Sequence, residues 1–163
     1  MLEVNKMSVV NEKRFEKEQA KLMADLTFQM ERFCRMKESF FASKFDLTPV
    51  EFRCLRIIHE NLEVPSKTLV KIMHLSPGRI THLIDSLEEK GLIVRQLDLN
   101  DRRSILVRLN DDALVFFGKI QEEYIQLHHE ILKYIPKGKR VEIFNNLEYL
   151  FLALKDWSNK LEV

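Results

Sequence analysis

Glycine and proline are scarce, four of each in 163 residues, and neither occurs between the N-terminus and Thr48. With no breaker there, the opening segment is free to form one long helix. Cysteine is nearly absent as well: Cys34 and Cys54 stand apart without a metal-type CxxC pair, which suits a reducing compartment. No run of 18 apolar residues occurs, and the opening MLEVNKMSVV lacks the apolar core of a secretory signal. The chain is therefore read as cytoplasmic, with no membrane partner. A net charge of +1 excludes a general polyanion binder, so attraction for a polyanion must come from local clusters such as Arg95, Arg102, Arg103 and Arg108. Enzyme signatures are missing too, with no glycine-rich phosphate loop, no GxSxG and no HExxH. Asp98-Leu99-Asn100-Asp101 opens like a calcium loop but then puts Arg103 where that loop requires glycine. No enzyme activity, cofactor or metal is expected. With 45% hydrophobic residues the chain can bury one core but has little room for a second independent domain.

What is present is concentrated between Ser66 and Leu109. Ser66 is placed to cap a short helix carrying Leu69, Val70 and Met73 on one face, and a His74-Leu75 turn leads to a second cap at Ser76. Pro77 sits at the first turn, where a helix tolerates it best. Ile80, Leu83, Ile84 and Leu87 follow i, i+3, i+4, i+7, and Gly91 closes the helix. Pro77, Gly78, Arg79, Thr81 and His82 are left facing outward. Small residues at 76 to 78 let the backbone approach a phosphate, and Arg79 can reach a base edge or a phosphate. The competing reading is an amphipathic core helix with a solvated polar face.

Two β-type runs follow, Leu92 to Leu97 and Ser104 to Leu109, with an Asn100-Asp101 turn signal between them. The hairpin tip carries Arg102 and Arg103 with nothing apolar to bury. Such an arm suits a minor groove, where negative potential attracts arginine; its bland alternative is a solvated charged turn.

In order and spacing, LTPVEF (Leu47 to Phe52), the stretch bearing Thr81, Leu83, Asp85 and Leu87, EKGLIVR (Glu89 to Arg95) and DRRSILVRL (Asp101 to Leu109) resemble the MarR family of bacterial transcriptional regulators. The resemblance is strongest over residues 47 to 110. It implies a mainly α fold with a small β-hairpin wing, a winged helix-turn-helix flanked by N- and C-terminal dimerisation helices. It also implies that Arg103 enters the minor groove braced by Asp101, with Arg102 as an auxiliary phosphate contact. Ser76, Gly78, Arg79, Thr81 and His82 would face the major groove and adjacent phosphates. Asn110 departs from the family's usual threonine, but asparagine caps a helix equally well.

The flanks complete a single unit over residues 1–163, with dimerisation helices over 8–46 and 111–163 and the DNA-binding region over 47–110. Phe15, Leu22, Leu26, Met30, Phe33, Phe40 and Phe41 recur at helical spacing in a first helix predicted to start near Ser8. Thr48-Pro49-Val50-Glu51 is a capping box opening a second helix to about Glu60, with Phe52, Leu55, Ile58 and His59 inward. Asn110 starts a fifth helix, predicted to run to Tyr134 before Pro136-Lys137-Gly138. A last helix follows over about Lys139 to Lys160. Its Phe144, Leu147, Phe151, Leu154 and Leu161 approximate a 3.5-residue seam, and Tyr149, Leu150, Leu152 and Trp157 make other faces apolar. A helix apolar nearly all round wants a partner, most simply a second copy. A homodimer would set two recognition helices about 34–36 Å apart on double-stranded DNA, so a near-palindromic operator is expected.

The resemblance implies regulation by a small lipophilic or phenolic ligand between the dimerisation helices and the winged region, in a crevice lined by the first two helices and the fifth, or by cysteine oxidation. Cys34, near Arg32, Arg35 and Lys37, is the candidate redox residue, though it is read first as buried and inert; Cys54 is read as core. His128, His129 and Glu130 invite a metal reading, but adjacent helix positions point about 100° apart, so a structural or solvated role is assigned. The function expected is a repressor released by a small ligand. The alternatives are a redox- or metal-responsive regulator of the same fold, or a winged-helix protein-interaction module without DNA binding.

Overall fold

Side-chain caps at Thr48, Ser76 and Asn110 each open a helix. The computed structural model describes residues 2–97 and 105–161, with side chains from residue 14 onward. The elements are α1 (Leu2–Ser43), α2 (Pro49–Asn61), β1 (Glu63–Pro65), α3 (Ser66–Met73), α4 (Pro77–Glu89), β2 (Ile93–Leu97), β3 (Ile105–Leu109), α5 (Asp111–Leu132), a 3-10 turn (Lys137–Lys139) and α6 (Arg140–Asn159). The chain forms two units, residues 1–117 and 118–163. Asp98 to Ser104, and with them the Asn100-Asp101 turn, lie outside the described residues.

In the first unit, α2 opens with the expected capping box: the Glu51 N–H donates to Thr48 Oγ1 at 3.2 Å, and the Thr48 N–H donates to Glu51 Oε2 at 2.7 Å. Such a cap stabilises a helix by about 1 kcal/mol. The second cap also forms, with Ser76 Oγ accepting from the Arg79 N–H at 3.4 Å. α4 ends in a Schellman motif, the Gly91 N–H reaching Glu88 O at 2.8 Å and the Leu92 N–H reaching Leu87 O at 3.0 Å. Gly91 sits at φ +67°, the left-handed region that glycine enters without a Cβ penalty.

Asn110 caps α5 through its Oδ1, which accepts from the Ala113 N–H at 2.6 Å, while its Nδ2 donates to Gly91 O. The amide thus ties the end of α4 to the start of α5.

Some boundaries differ from expectation. α1 starts at Leu2 rather than near Ser8, since no glycine or proline interrupts the earlier residues. Ser66 does not cap α3; the cap position is Pro65, without a side-chain hydrogen bond. The reason is β1, a strand not anticipated, whose pairing of Pro65 with Leu106 holds the chain extended up to the helix. With it the wing becomes a three-stranded antiparallel sheet of order β1-β3-β2, pairing Val64 with Val107 and Arg95 with Val107 from opposite sides.

The core of this unit draws on every element the unit contains. Phe41, Phe52, Leu55, Ile58, Leu69, Ile80, Leu87, Ile93, Val107 and Phe117 are fully buried. Phe41 and Phe52 meet at a tilted 5.5 Å, and the His59 ring lies 5.1 Å from that of Phe117. Each such side chain contributes roughly 1.5–3 kcal/mol of burial. The α1 residues Phe15, Leu22, Leu26, Phe33, Met36 and Phe40 stay exposed.

In the second unit α5 stops at Leu132, two residues short of the expected Tyr134, and α6 opens at Arg140. Arg140 closes the turn that follows: its Nη2 and Nε donate to Leu132 O at 2.7 Å and Ile135 O at 3.2 Å. Phe144, Leu147, Phe151, Leu154 and Trp157 of α6 are exposed.

Candidate nucleic-acid interface

The two faces of α4 separate cleanly. Ile80, Leu83, Ile84 and Leu87 are buried, whereas Ser76, Pro77, Gly78, Arg79, Thr81 and His82 are all exposed. The expected recognition residues therefore share one surface at the start of one helix. No acidic residue occupies the first turn, so the positive end of the helix dipole is not offset there. Arg79 forms no ion pair with a described residue, which leaves its guanidinium for an external acceptor.

Local bonds decide what each hydroxyl offers. Thr81 Oγ1 donates to Pro77 O at 3.0 Å, so its proton is engaged and its lone pairs and methyl face outward. Ser76 Oγ accepts the cap bond and keeps its own proton to donate. A Cβ added at Gly78 would meet nothing within 4 Å. Nothing in the free protein demands glycine there, and its value lies in what approaches from outside.

Not every basic side chain expected to attract DNA is available. Arg95 is claimed by α4 itself: its Nη2 bonds Asp85, and its Nε lies 3.0 Å from Glu88 Oε2 without hydrogen-bond alignment. Arg108 donates to Leu109 O at 3.2 Å and lies 3.8 Å from Asp111. Arg95 was grouped with the wing-tip arginines because sequence spacing hides its partners on α4. Asp101, Arg102 and Arg103 lie outside the described residues.

A residue with no assigned function at the sequence level holds this surface in place. Glu51, only 4% exposed, takes Ser86 Oγ at 2.7 Å and Lys90 Nζ at 3.0 Å, while Lys90 also reaches Asp46 O at 2.7 Å. Burial pushes its carboxyl pKa up, but the bonds from the Thr48 N–H, Ser86 and Lys90 outweigh that and hold it below the ordinary value of 4.5. The start of α2 is thereby tied to the end of α4. The capping box was legible, but the partners lie 35 and 39 residues away.

The candidate regulatory groups are placed as follows. Cys34 is exposed rather than buried, because it lies on the part of α1 whose apolar residues find no cover within the chain. Of its basic neighbours, Arg35 bonds Glu31 and Arg32 lies over the Phe33 ring at 5.1 Å. Cys54 is buried as expected, and burial, assisted by the Glu51 charge, pushes its thiol up to about 12. His128 Nδ1 lies 2.7 Å from Tyr124 O. Among the described residues no group of three His, Cys, Asp or Glu side chains is placed to hold a metal ion, and no helix is long and apolar enough to cross a membrane.

A helix pair joined by a left-handed turn at His74, followed by a three-stranded antiparallel sheet, defines a winged helix-turn-helix protein. Residues 47–105 match the model of the MarR family. The chain is 23% identical over 117 residues to the HTH-type transcriptional regulator MhqR of Bacillus subtilis (strain 168), covering 72% of this chain and 81% of that protein. It has the fold of a MarR transcriptional regulator from Methanosarcina mazei Go1, with TM-score 0.71, 19% identity and 83% and 98% of the two chains covered. A mutant MarR from E. coli complexed with operator DNA superposes with TM-score 0.67 and 23% identity, covering 80% and 91%. The segment that matches the MarR family model includes the whole helix-turn-helix, and the relatives it resembles are HTH-type transcriptional regulators.

Proposed function

We propose that the protein binds a near-palindromic operator as a homodimer and represses transcription until a small lipophilic or phenolic ligand releases it. The observation that carries the DNA contact is the exposed, capped and acid-free start of α4, with Ser76, Gly78, Arg79, Thr81 and His82 on one face and an apolar face locked into the core. Arg79 is assigned to a base edge or phosphate of the major groove, and Thr81 offers a methyl to thymine. In the wing, Arg103 is assigned to the minor groove with Asp101 bracing it and Arg102 on a phosphate. The solved complex of the E. coli relative with operator DNA supports the same use of a shared fold.

Dimerisation is supported by the exposed apolar stripes of α1 and α6, which water would otherwise cover at considerable cost. Residues 8–46 and 111–163 are assigned to that interface, and residues 47–110 to DNA. The test is duplex binding followed against salt. The logarithm of affinity should fall linearly with the logarithm of salt, by about 0.9 per phosphate contacted. A flat response would instead favour a winged module that binds protein.

A further inference from the structure

A cleft of about 330 Å³ opens between α2 and α3, lined by Val50, Arg53, Arg56, Ile57, Glu60, Ile72, Met73, His74 and Leu75. It is a different place from the crevice expected among the first two helices and the fifth. Its size falls at the small end of ligand pockets, about 300–1,000 Å³.

Its chemistry is divided. Ile57, Ile72, Met73 and Leu75 supply an apolar surface, while two guanidinium groups and one carboxylate supply the charge. Arg53 makes its contacts through Nε, to Glu38 and to Pro49 O, each at 3.4 Å. Its terminal Nη groups make no hydrogen bond to a described residue. Arg56, one turn on, lies 3.4 Å from Glu60. A planar guanidinium with both Nη groups available suits bidentate contact with a carboxylate.

The cleft also touches the joint of the helix-turn-helix. His74 holds a left-handed φ of 51°, a conformation that non-glycine residues adopt at some cost, and Leu75 directly precedes the Ser76 cap of the recognition helix. An occupant resting on His74 and Leu75 bears on the backbone that aims Ser76 and Arg79.

We propose that this cleft binds a small amphipathic carboxylate, with its apolar body on Ile57, Ile72, Met73 and Leu75 and its carboxylate on the Arg53 Nη pair. That such binding serves regulation rests on the DNA-binding reading above, but occupancy does not. The test uses 2-naphthoate and the whole 163-residue chain, followed by amide and methyl chemical shifts without DNA. Shifts should cluster at Ile57, Ile72, Met73 and Leu75 and extend to Ser76 and Arg79. Arg53→Gln should weaken binding about tenfold, the scale of one charge-assisted hydrogen bond. Uncharged 2-naphthamide should bind as weakly as 2-naphthoate does to that variant, and Ile72→Trp, which fills the cleft from an exposed position, should abolish binding. Shifts mapping to another surface, or equal affinity for acid and amide, or for wild type and Arg53→Gln, would overturn the proposal. Because no DNA enters the measurement, its failure leaves the DNA reading intact.

Discussion

Residues 47–117 and the two terminal helices treat hydrophobic side chains in opposite ways. In the first region Phe52, Leu55, Ile58, Leu87 and Phe117 vanish from solvent within one chain. On α1 and α6, Leu26, Phe33, Phe40, Leu147, Phe151 and Trp157 remain exposed although they recur at helical spacing. A pattern of period near 3.5 says that a helix has an apolar face; it does not say whose surface covers that face. The winged region closes its core with help only from the end of α1, at Phe41 and Ala42, whereas the apolar stripes of α1 and α6 remain exposed.

The contrast can be broken at its strongest point first. Phe52→Ala removes a fully buried ring and should lower unfolding free energy by about 3–5 kcal/mol in denaturant titration, whereas Phe151→Ala should change stability far less at protein concentrations where no dimer forms. Equal losses would mean that α6 is covered by its own chain. Next, Leu26→Glu combined with Phe33→Glu should shift the protein to monomer in sedimentation velocity while leaving the methyl chemical shifts of the buried Leu69, Ile80 and Leu87 in place. A dimer unaffected by two charges on that stripe would remove α1 from the proposed interface.

Glu51 sharpens the comparison at the level of charge, since it is the one polar group the described core buries. Glu51→Gln should cost about 2 kcal/mol near neutral pH, where the carboxylate binds Lys90 and Ser86. Its folded pKa lies below the ordinary value, so this stabilisation is present above that value and is lost as pH falls through the folded pKa. The gap between wild type and variant should therefore close in acid; a gap constant from pH 7 to 3 would contradict the assigned network.

The smallest effect is the most diagnostic of recognition. Gly78→Ala should leave the fold intact and raise stability by about 0.5–1 kcal/mol, because the added methyl meets nothing and alanine prefers helix. It should nonetheless weaken duplex binding if the backbone approaches a phosphate there. An unchanged affinity would show that position 78 keeps its distance from DNA.

Much of this was legible in the sequence because it is encoded locally. Thr48, Ser76, Pro77, Gly91 and Asn110 act on their own neighbours, so their roles as caps and stops could be read from spacing alone. What escaped is non-local. β1 is three residues long and ends in proline, too short to show alternation, and it exists only because β3 offers an open edge. That strand in turn displaced the cap of α3 from Ser66 to Pro65. Arg95 read as a free cation because Asp85 and Glu88 reach it across a turn, and the exposure of Cys34 followed from a stripe on α1 that its own chain leaves uncovered. The shared exposed face at the start of α4 was legible from periodicity, while the Glu51 tie that anchors the helix was not.

The most direct test of the central claim, that the exposed start of α4 reads DNA, is selection of duplexes from a random pool by wild-type protein and by Arg79→Ala side by side. The wild type should enrich a near-palindrome. Arg79→Ala should bind that duplex about 5- to 150-fold more weakly, the 1–3 kcal/mol of one specific base contact, and relax preference at one position in each half-site. Enrichment by both proteins of the same sequence with equal affinity would contradict the account.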